Sequence, residues 1–161
     1  MANILVVEDE GIIAEDIRVT LERVGHNVVA VCASGEEAIG LVDEHPPDLV
    51  LMDIHLAGAV DGIETAARIR SRHDLPIIYL TAYADSETLL RAKETGPFAY
   101  LVKPFDEKDL KPAIELTLAR HALDQRKARF AELLEELVQE RTVDLQAVSY
   151  THLTLPTNRE V

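Results

Sequence analysis

One cysteine, no tryptophan and an aromatic share of only 4% are what this 161-residue chain has least of. The lone Cys32 cannot close an internal disulfide, and its place in the apolar run VVAVCA makes it a small buried hydrophobe rather than a reactive thiol. Basic residues are scarce too: 16 Lys and Arg stand against 29 Asp and Glu, for a formal net charge of −13. That balance argues against the basic surface that phosphate-backbone binding needs, and no segment concentrates Lys and Arg with aromatics, so no direct nucleic-acid partner is expected. No apolar run approaches the length of a membrane span. The opening MANILVVEDE reaches acidic residues too early for a signal peptide, so a cytoplasmic location with no membrane partner is expected.

What is present is ordinary globular material. A hydrophobic fraction of 47% with 28% charged residues suffices to bury a core without disulfides or a structural metal. Short runs rich in Val, Ile and Leu recur, each followed by an amphipathic stretch of helix length. The runs are Ile4 to Val7, Val28 to Ala33, Leu49 to Met52, Ile77 to Leu80 and Tyr100 to Val102. They are continuously apolar, as parallel strands covered on both faces are.

Between them, Ile12, Ile13, Ile17, Leu21 and Val24 recur at helical spacing, with Gly25 as the expected C-cap. Ser34 followed by Glu37 is a capping box for a second helix, bounded by Pro46 and Pro47. Ile63, Ala66, Ala67 and Ile69 mark a third helix, and Leu89, Leu90 and Ala92 a fourth. Five βα units of right-handed connection make a doubly wound parallel sheet.

In such a sheet the functional groups gather at the carboxyl ends of the strands. There the sequence places Glu8 and Asp9 after the first run, Asp53 after the third, Thr81 after the fourth, and Lys103 with Pro104 after the fifth. Taken singly these are weak signals, because an acidic pair after a strand also suits a solvated helix N-terminus. Taken together they put three carboxylates, a hydroxyl and an ammonium on one rim. Carboxylates so close repel unless a cation neutralises them, and Mg²⁺ prefers oxygen ligands while keeping waters that a phosphate oxygen can replace. The expected ligands are Asp9, Asp53 and the backbone carbonyl of His55, with Glu8 acting through water. Asp53 is then the candidate nucleophile toward phosphorus, Lys103 neutralises the transferred group, and Thr81 donates its hydroxyl to it.

The segments VVEDE, LVLMDIHL, DGIE, YLTAY and YLVKPF, in this order from Asn3 to about His121, resemble the ordered signature of response-regulator receiver domains. The resemblance implies a flavodoxin-like sheet in the order 2-1-3-4-5 and a cis bond between Lys103 and Pro104. It also implies Glu8 and Asp9 as the acidic pair, Asp53 as phosphoacceptor, Thr81 as switch hydroxyl, Tyr100 as the aromatic that follows it, and Lys103 as the conserved-type lysine of the site. The implied partner is a histidine kinase or a phosphotransfer protein, and the implied role is a phosphoacceptor switch rather than an enzyme. Receivers commonly carry Pro four residues after the phosphoacceptor; here Ala57 stands there, and the loop to Asp61 and Gly62 is slightly longer. The His55 side chain is a candidate for tuning dephosphorylation.

Two other readings compete with the switch. A metal-dependent aspartyl phosphatase of the haloacid-dehalogenase type would carry a second aspartate two residues after the nucleophile, where this chain has His55. An N-terminal receiver of a larger hybrid sensor kinase is compatible with the chain's far end. The remaining histidines, His26, His45, His73 and His121, have no partners at ligand spacing and default to solvated side chains.

After Pro104, Asp106 with Asp109 resembles an N-cap, and Pro112 fits the start of a long helix. Leu116, Leu123, Phe130 and Leu137 repeat every seven residues, with Leu133 and Leu134 widening the stripe and Arg126 and Glu140 interrupting its second seam. The expectation is a helix that extends out of the receiver and pairs with a second chain as a homodimer, the alternative being a single helix folded back on the domain. From Val148 the chain reads VSYTHLTLPT, which resembles the translation of a transposase sequencing adapter. The expected organisation is therefore a receiver at 1–121, a helical extension or linker at 122–147 and a non-native tail at 148–161.

Overall fold

The computed structural model describes residues 1–82, 86–94 and 99–152, apart from the side chains of Ser86, Leu89 and residues 141–152. Tyr83 of the YLTAY run, the Leu89 side chain and the tail beyond His152 lie outside the described residues. A first compact unit spans Met1–His121, and a second begins at Ala122.

The strands are β1 (Asn3–Val7), β2 (Asn27–Cys32), β3 (Leu49–Asp53), β4 (Ile77–Thr81) and β5 (Ala99–Val102), alternating with α1 (Gly11–Arg23), α2 (Gly35–Glu44), α3 (Gly62–Arg72), α4 (Ser86–Lys93) and α5 (Glu107–His152). The strands form one parallel sheet in the order β2-β1-β3-β4-β5. Side chains alternate across a strand, so each inner strand feeds two cores. Ile4, Val6, Leu49, Leu51, Ile78 and Leu80 meet Ile17 and Leu21 of α1 and Leu110 and Ile114 of α5. On the other face Leu5, Val7, Val50, Met52, Ile77 and Tyr79 meet Ala38 and Val42 of α2, Ile63, Ala66 and Ile69 of α3, and Ala92 of α4. Each such side chain, once fully buried, contributes about 1.5–3 kcal/mol from the area removed from water.

The two edge strands depart from the sequence expectation of cover on both faces. Val29 and Val31 of β2, and Tyr100 and Val102 of β5, are exposed. Continuous apolar character reports the two-sided burial of β1, β3 and β4, but it cannot tell an edge strand from a central one. Leu90, which helped to mark α4, also faces solvent, whereas Thr88 and Ala92 carry that helix's buried face.

Local signals terminate the helices largely as their chemistry dictates. The Ser34 hydroxyl accepts the Glu37 N–H, while Glu37 reaches back one residue further than a strict capping box, to the Ala33 N–H. Gly25 follows α1 at a φ of 95°, the left-handed conformation expected of a residue just past a helix end. Asp106 and Asp109 cap one another reciprocally, each carboxylate accepting the other's N–H at 3.2 Å. Helix α5 begins at Glu107 and continues through Pro112. Among the described residues no helix is long and apolar enough to cross a membrane.

Candidate functional site

Strand register decides which residues share the carboxyl rim. Val7 pairs with Met52, Asp53 with Leu80 and Thr81 with Val102, so Glu8 stands level with Asp53, and Thr81 and Lys103 stand one and two steps further out. The bond from Lys103 to Pro104 is cis, and the Lys103 N–H donates to the Thr81 carbonyl at 2.7 Å. Strand β5 is thereby held to β4 up to the residue that delivers the ammonium.

Around that rim the side chains converge. One carboxylate oxygen from each of Glu8, Asp9 and Asp53 lies within 4.8 Å of the others. Lys103 Nζ donates to Glu8 Oε2 at 2.7 Å and to Asp53 Oδ2 at 3.3 Å. The remaining oxygens accept from main chain: Glu8 Oε1 from the Glu10 N–H at 3.2 Å, Asp53 Oδ1 from the His55 N–H at 3.1 Å, and Asp9 Oδ2 from the Ala57 N–H at 3.1 Å. Glu8, Asp53 and Thr81 are buried, and Asp9 is partly so. The His55 side chain is exposed. Tyr100 is half-exposed on β5, opposite the buried Tyr79 of β4.

Glu8 and Asp53 share the Lys103 ammonium. Burial pushes the Glu8 carboxyl from 4.5 up to about 7; Lys103 and the Glu10 N–H oppose that rise and the Asp53 charge adds to it. For Lys103, burial works to lower the pKa, but the bond to Glu8 and the charge of Asp53 more than offset it, holding the ammonium above the ordinary lysine value.

The loop after Asp53 is positioned by a close approach that sequence reading passed over. The first residue of α3, Gly62, sits so near β3 that a Cβ there would lie 2.0 Å from the Asp53 carbonyl oxygen and 2.8 Å from the Ile54 Cα. Its N–H donates to the Ile54 carbonyl at 2.9 Å. Asp61 caps α3 through the Glu64 N–H, and its other oxygen accepts from Arg91 of α4 at 2.9 Å. The Asp-Gly pair within DGIE was the available signal, since an N-cap acid before glycine suits a helix start pressed against a neighbouring backbone. The Arg91 partnership had none, because 30 residues separate the pair. Glycine recurs for the same reason at Gly35, where a Cβ would lie 2.0 Å from Thr65 Oγ1 and part α2 from α3.

Three of the four remaining histidines are not simply solvated. His26 Nδ1 accepts the Ala2 N–H at 3.1 Å, His73 Nε2 lies 2.8 Å from Asp43 and His121 Nε2 lies 3.2 Å from Asp74. The first two tie a helix end to the start of β1 or to a neighbouring helix, whereas His121 lies within α5 and its Nε2 makes no hydrogen bond among the described residues. Cys32 is buried, and burial pushes its thiol up to about 12, which removes it from nucleophilic chemistry.

The doubly wound parallel sheet thus carries an acidic cluster, a buried threonine and a lysine at its carboxyl rim. The chain belongs to the response regulator receiver domain family, whose model matches residues 4–115. It is 40% identical over 136 residues to the transcriptional regulatory protein PdtaR of Mycobacterium tuberculosis, covering 82% of this chain and 66% of that protein. It is 39% identical over 120 residues to the transcriptional regulatory protein AfsQ1 of Streptomyces coelicolor, covering 74% of this chain and 52% of that one. The chain thus spans about half to two thirds of the length of these relatives. Among solved structures, the signal receiver domain of a modulated diguanylate cyclase from Desulfovibrio desulfuricans superposes with a TM-score of 0.73 at 41% identity, covering 77% of this chain and 98% of that one.

Proposed function

We propose that this chain is the phosphoacceptor of a two-component phosphorelay, with Asp53 receiving a phosphoryl group from a histidine kinase or a phosphotransfer protein. The observation that carries this is the convergence of the Glu8, Asp9 and Asp53 carboxylates within 4.8 Å, with the Lys103 ammonium 3.3 Å from Asp53. An Asp53 carboxylate oxygen attacks phosphorus, the donor's bond to phosphorus breaks, and its electron pair leaves with the donor. Asp53 then carries an acyl phosphate.

The donor set fits Mg²⁺. An octahedral ion with bonds of 2.0–2.1 Å sets neighbouring ligand oxygens about 3 Å apart, so carboxylate oxygens now within 4.8 Å of one another would draw in by up to about 2 Å around it. Asp9, Asp53 and the His55 carbonyl would hold it, with Glu8 acting through water. Bound there, the ion supplies neutralisation of charge on the transferred phosphoryl group. Lys103 neutralises a second oxygen, and the Thr81 hydroxyl donates to a third. The Thr81 movement draws Tyr100 inward and repositions α4, β5 and the start of α5, a shift between two conformations of similar energy.

The role is a switch that turns over once per signal rather than an enzyme acting on free substrates. The proposed setting is the cytoplasm. Residues 122–147 serve as a helical linker through which two chains associate, and residues 148–161 are a non-native tail. The experiment is to compare labelling with turnover: stoichiometric, Mg²⁺-dependent phosphorylation without hydrolysis of p-nitrophenyl phosphate is expected. Repeated turnover of that ester would replace the switch with a phosphatase.

A further inference from the structure

In the second unit, α5 displays a stripe that nothing among the described residues of that unit covers: Leu123, Phe130, Leu133, Leu134 and Leu137 are each about half exposed or more. At seven-residue spacing Leu123, Phe130 and Leu137 form one seam, and Arg126, Leu133 and Glu140 form the other. Two charges thus sit where a paired helix buries side chains. The charges around the stripe are sorted along the axis as well. Residues 122–131 carry Arg126, Lys127 and Arg129 against Asp124 alone, while residues 132–140 carry Glu132, Glu135, Glu136 and Glu140 and no base. Glu132, Glu136 and Glu140 follow one another at intervals of four on the exposed helix, a repulsive spacing within a single helix.

We infer that this segment pairs antiparallel with the same segment of a second copy, centred between Ala131 and Glu132. This rests on the self-association proposed above and names its direction. A parallel, in-register pair would set Arg126 against its own copy and Glu140 against its own copy, both in the buried seam. Turning one helix over changes each of those meetings. Seven-residue packing then places Phe130 on Leu133 of the second copy, twice by symmetry, and Arg126 on Leu137 of the second copy. Glu140 of the second copy falls one layer beyond, within reach of a guanidinium whose stem lies along the seam. On the flank, Arg129 faces Glu136 of the second copy, again twice. The two residues that interrupt the seam become partners, and the basic half of each helix lies along the acidic half of the other. The overlap from Leu123 to Glu140 is about 27 Å of helix.

Charge exchange on the full chain tests this, since Arg126 and Glu140 are exposed and outside the phosphoryl site. Sedimentation equilibrium across a concentration series gives the association constant of wild type, Arg126→Glu, Glu140→Arg and the double exchange, with circular dichroism confirming equal helix content. Wild type is expected to dimerise, each single exchange to weaken association by roughly tenfold, and the double exchange to restore it. A chain that stays monomeric at every concentration overturns the self-association and with it the inference. Dimerisation without rescue in the double exchange overturns the antiparallel direction alone.

Discussion

Substituting Gly62 by Ala adds one methyl group and is expected to be among the most damaging small changes in the fold. The new Cβ would stand 2.0 Å from the Asp53 carbonyl oxygen, where ordinary contact begins at 3.4 Å, so about 1.4 Å of separation must be created. Both nearest obstacles, the Asp53 carbonyl and the Ile54 Cα, are backbone, so no side chain can rotate away. Helix α3 must lift from β3, or β3 must bend. Overpacking of this kind costs ~1–3 kcal/mol, and the upper part of that range is expected where backbone meets backbone. For a domain of this size that lowers Tm by roughly 6–12 °C. The control is Gly40→Ala, at an exposed position in α2 where a Cβ meets nothing within 4 Å. Relief of glycine's backbone freedom there should stabilise by about 0.5–1 kcal/mol. Urea denaturation of both variants checks the pair of signs. A Gly62→Ala protein as stable as wild type would refute the reasoning from close approach.

Further outcomes follow from the same geometry. Glu8, whose carboxyl burial raises to about 7, favours the folded state below its unfolded value of 4.5, and that contribution disappears as pH rises through about 7. Metal-free protein should therefore lose stability between about pH 4.5 and 7, by no more than ~3 kcal/mol, and Glu8→Gln should flatten the profile of chemical denaturation against pH. Asp61→Ala removes the α3 cap and the Arg91 ion pair together, and should cost ~1–2 kcal/mol in urea melts at neutral pH. Burial opposes ionisation of Asp61, but the Glu64 N–H and Arg91 hold its carboxyl below the usual range, so the difference between variant and wild type should shrink as pH falls through that lowered value. His55→Ala should change the lifetime of the acyl phosphate without changing the amount formed; identical decay rates would remove the side chain from any tuning role.

The doubly wound arrangement was legible because the central strands are continuously apolar and the first two helices carry their own stop signals, Gly25 and the Pro46–Pro47 pair. The acidic pair, Asp53, Thr81 and Lys103 were legible because parallel register sends the ends of successive strands to one rim, a consequence of topology that needs no knowledge of side-chain distances. The hidden features depend on pairs remote in the chain or on space rather than on residue type. Exposure of Val29 and Val31 follows from β2 lying at an edge, a matter of strand order. The Asp61–Arg91 and His73–Asp43 contacts join separate helices or helix ends across about 30 residues. The need for glycine at position 62 appears only once the Asp53 carbonyl is placed beside it.

The most direct test of the central claim is intact mass after incubation with Mg²⁺ and acetyl phosphate, comparing wild type with Asp53→Asn. The account predicts a single phosphoryl adduct on wild type, absent without the metal and absent from the variant. An adduct that survives in Asp53→Asn, or no adduct on wild type under any condition, would contradict it.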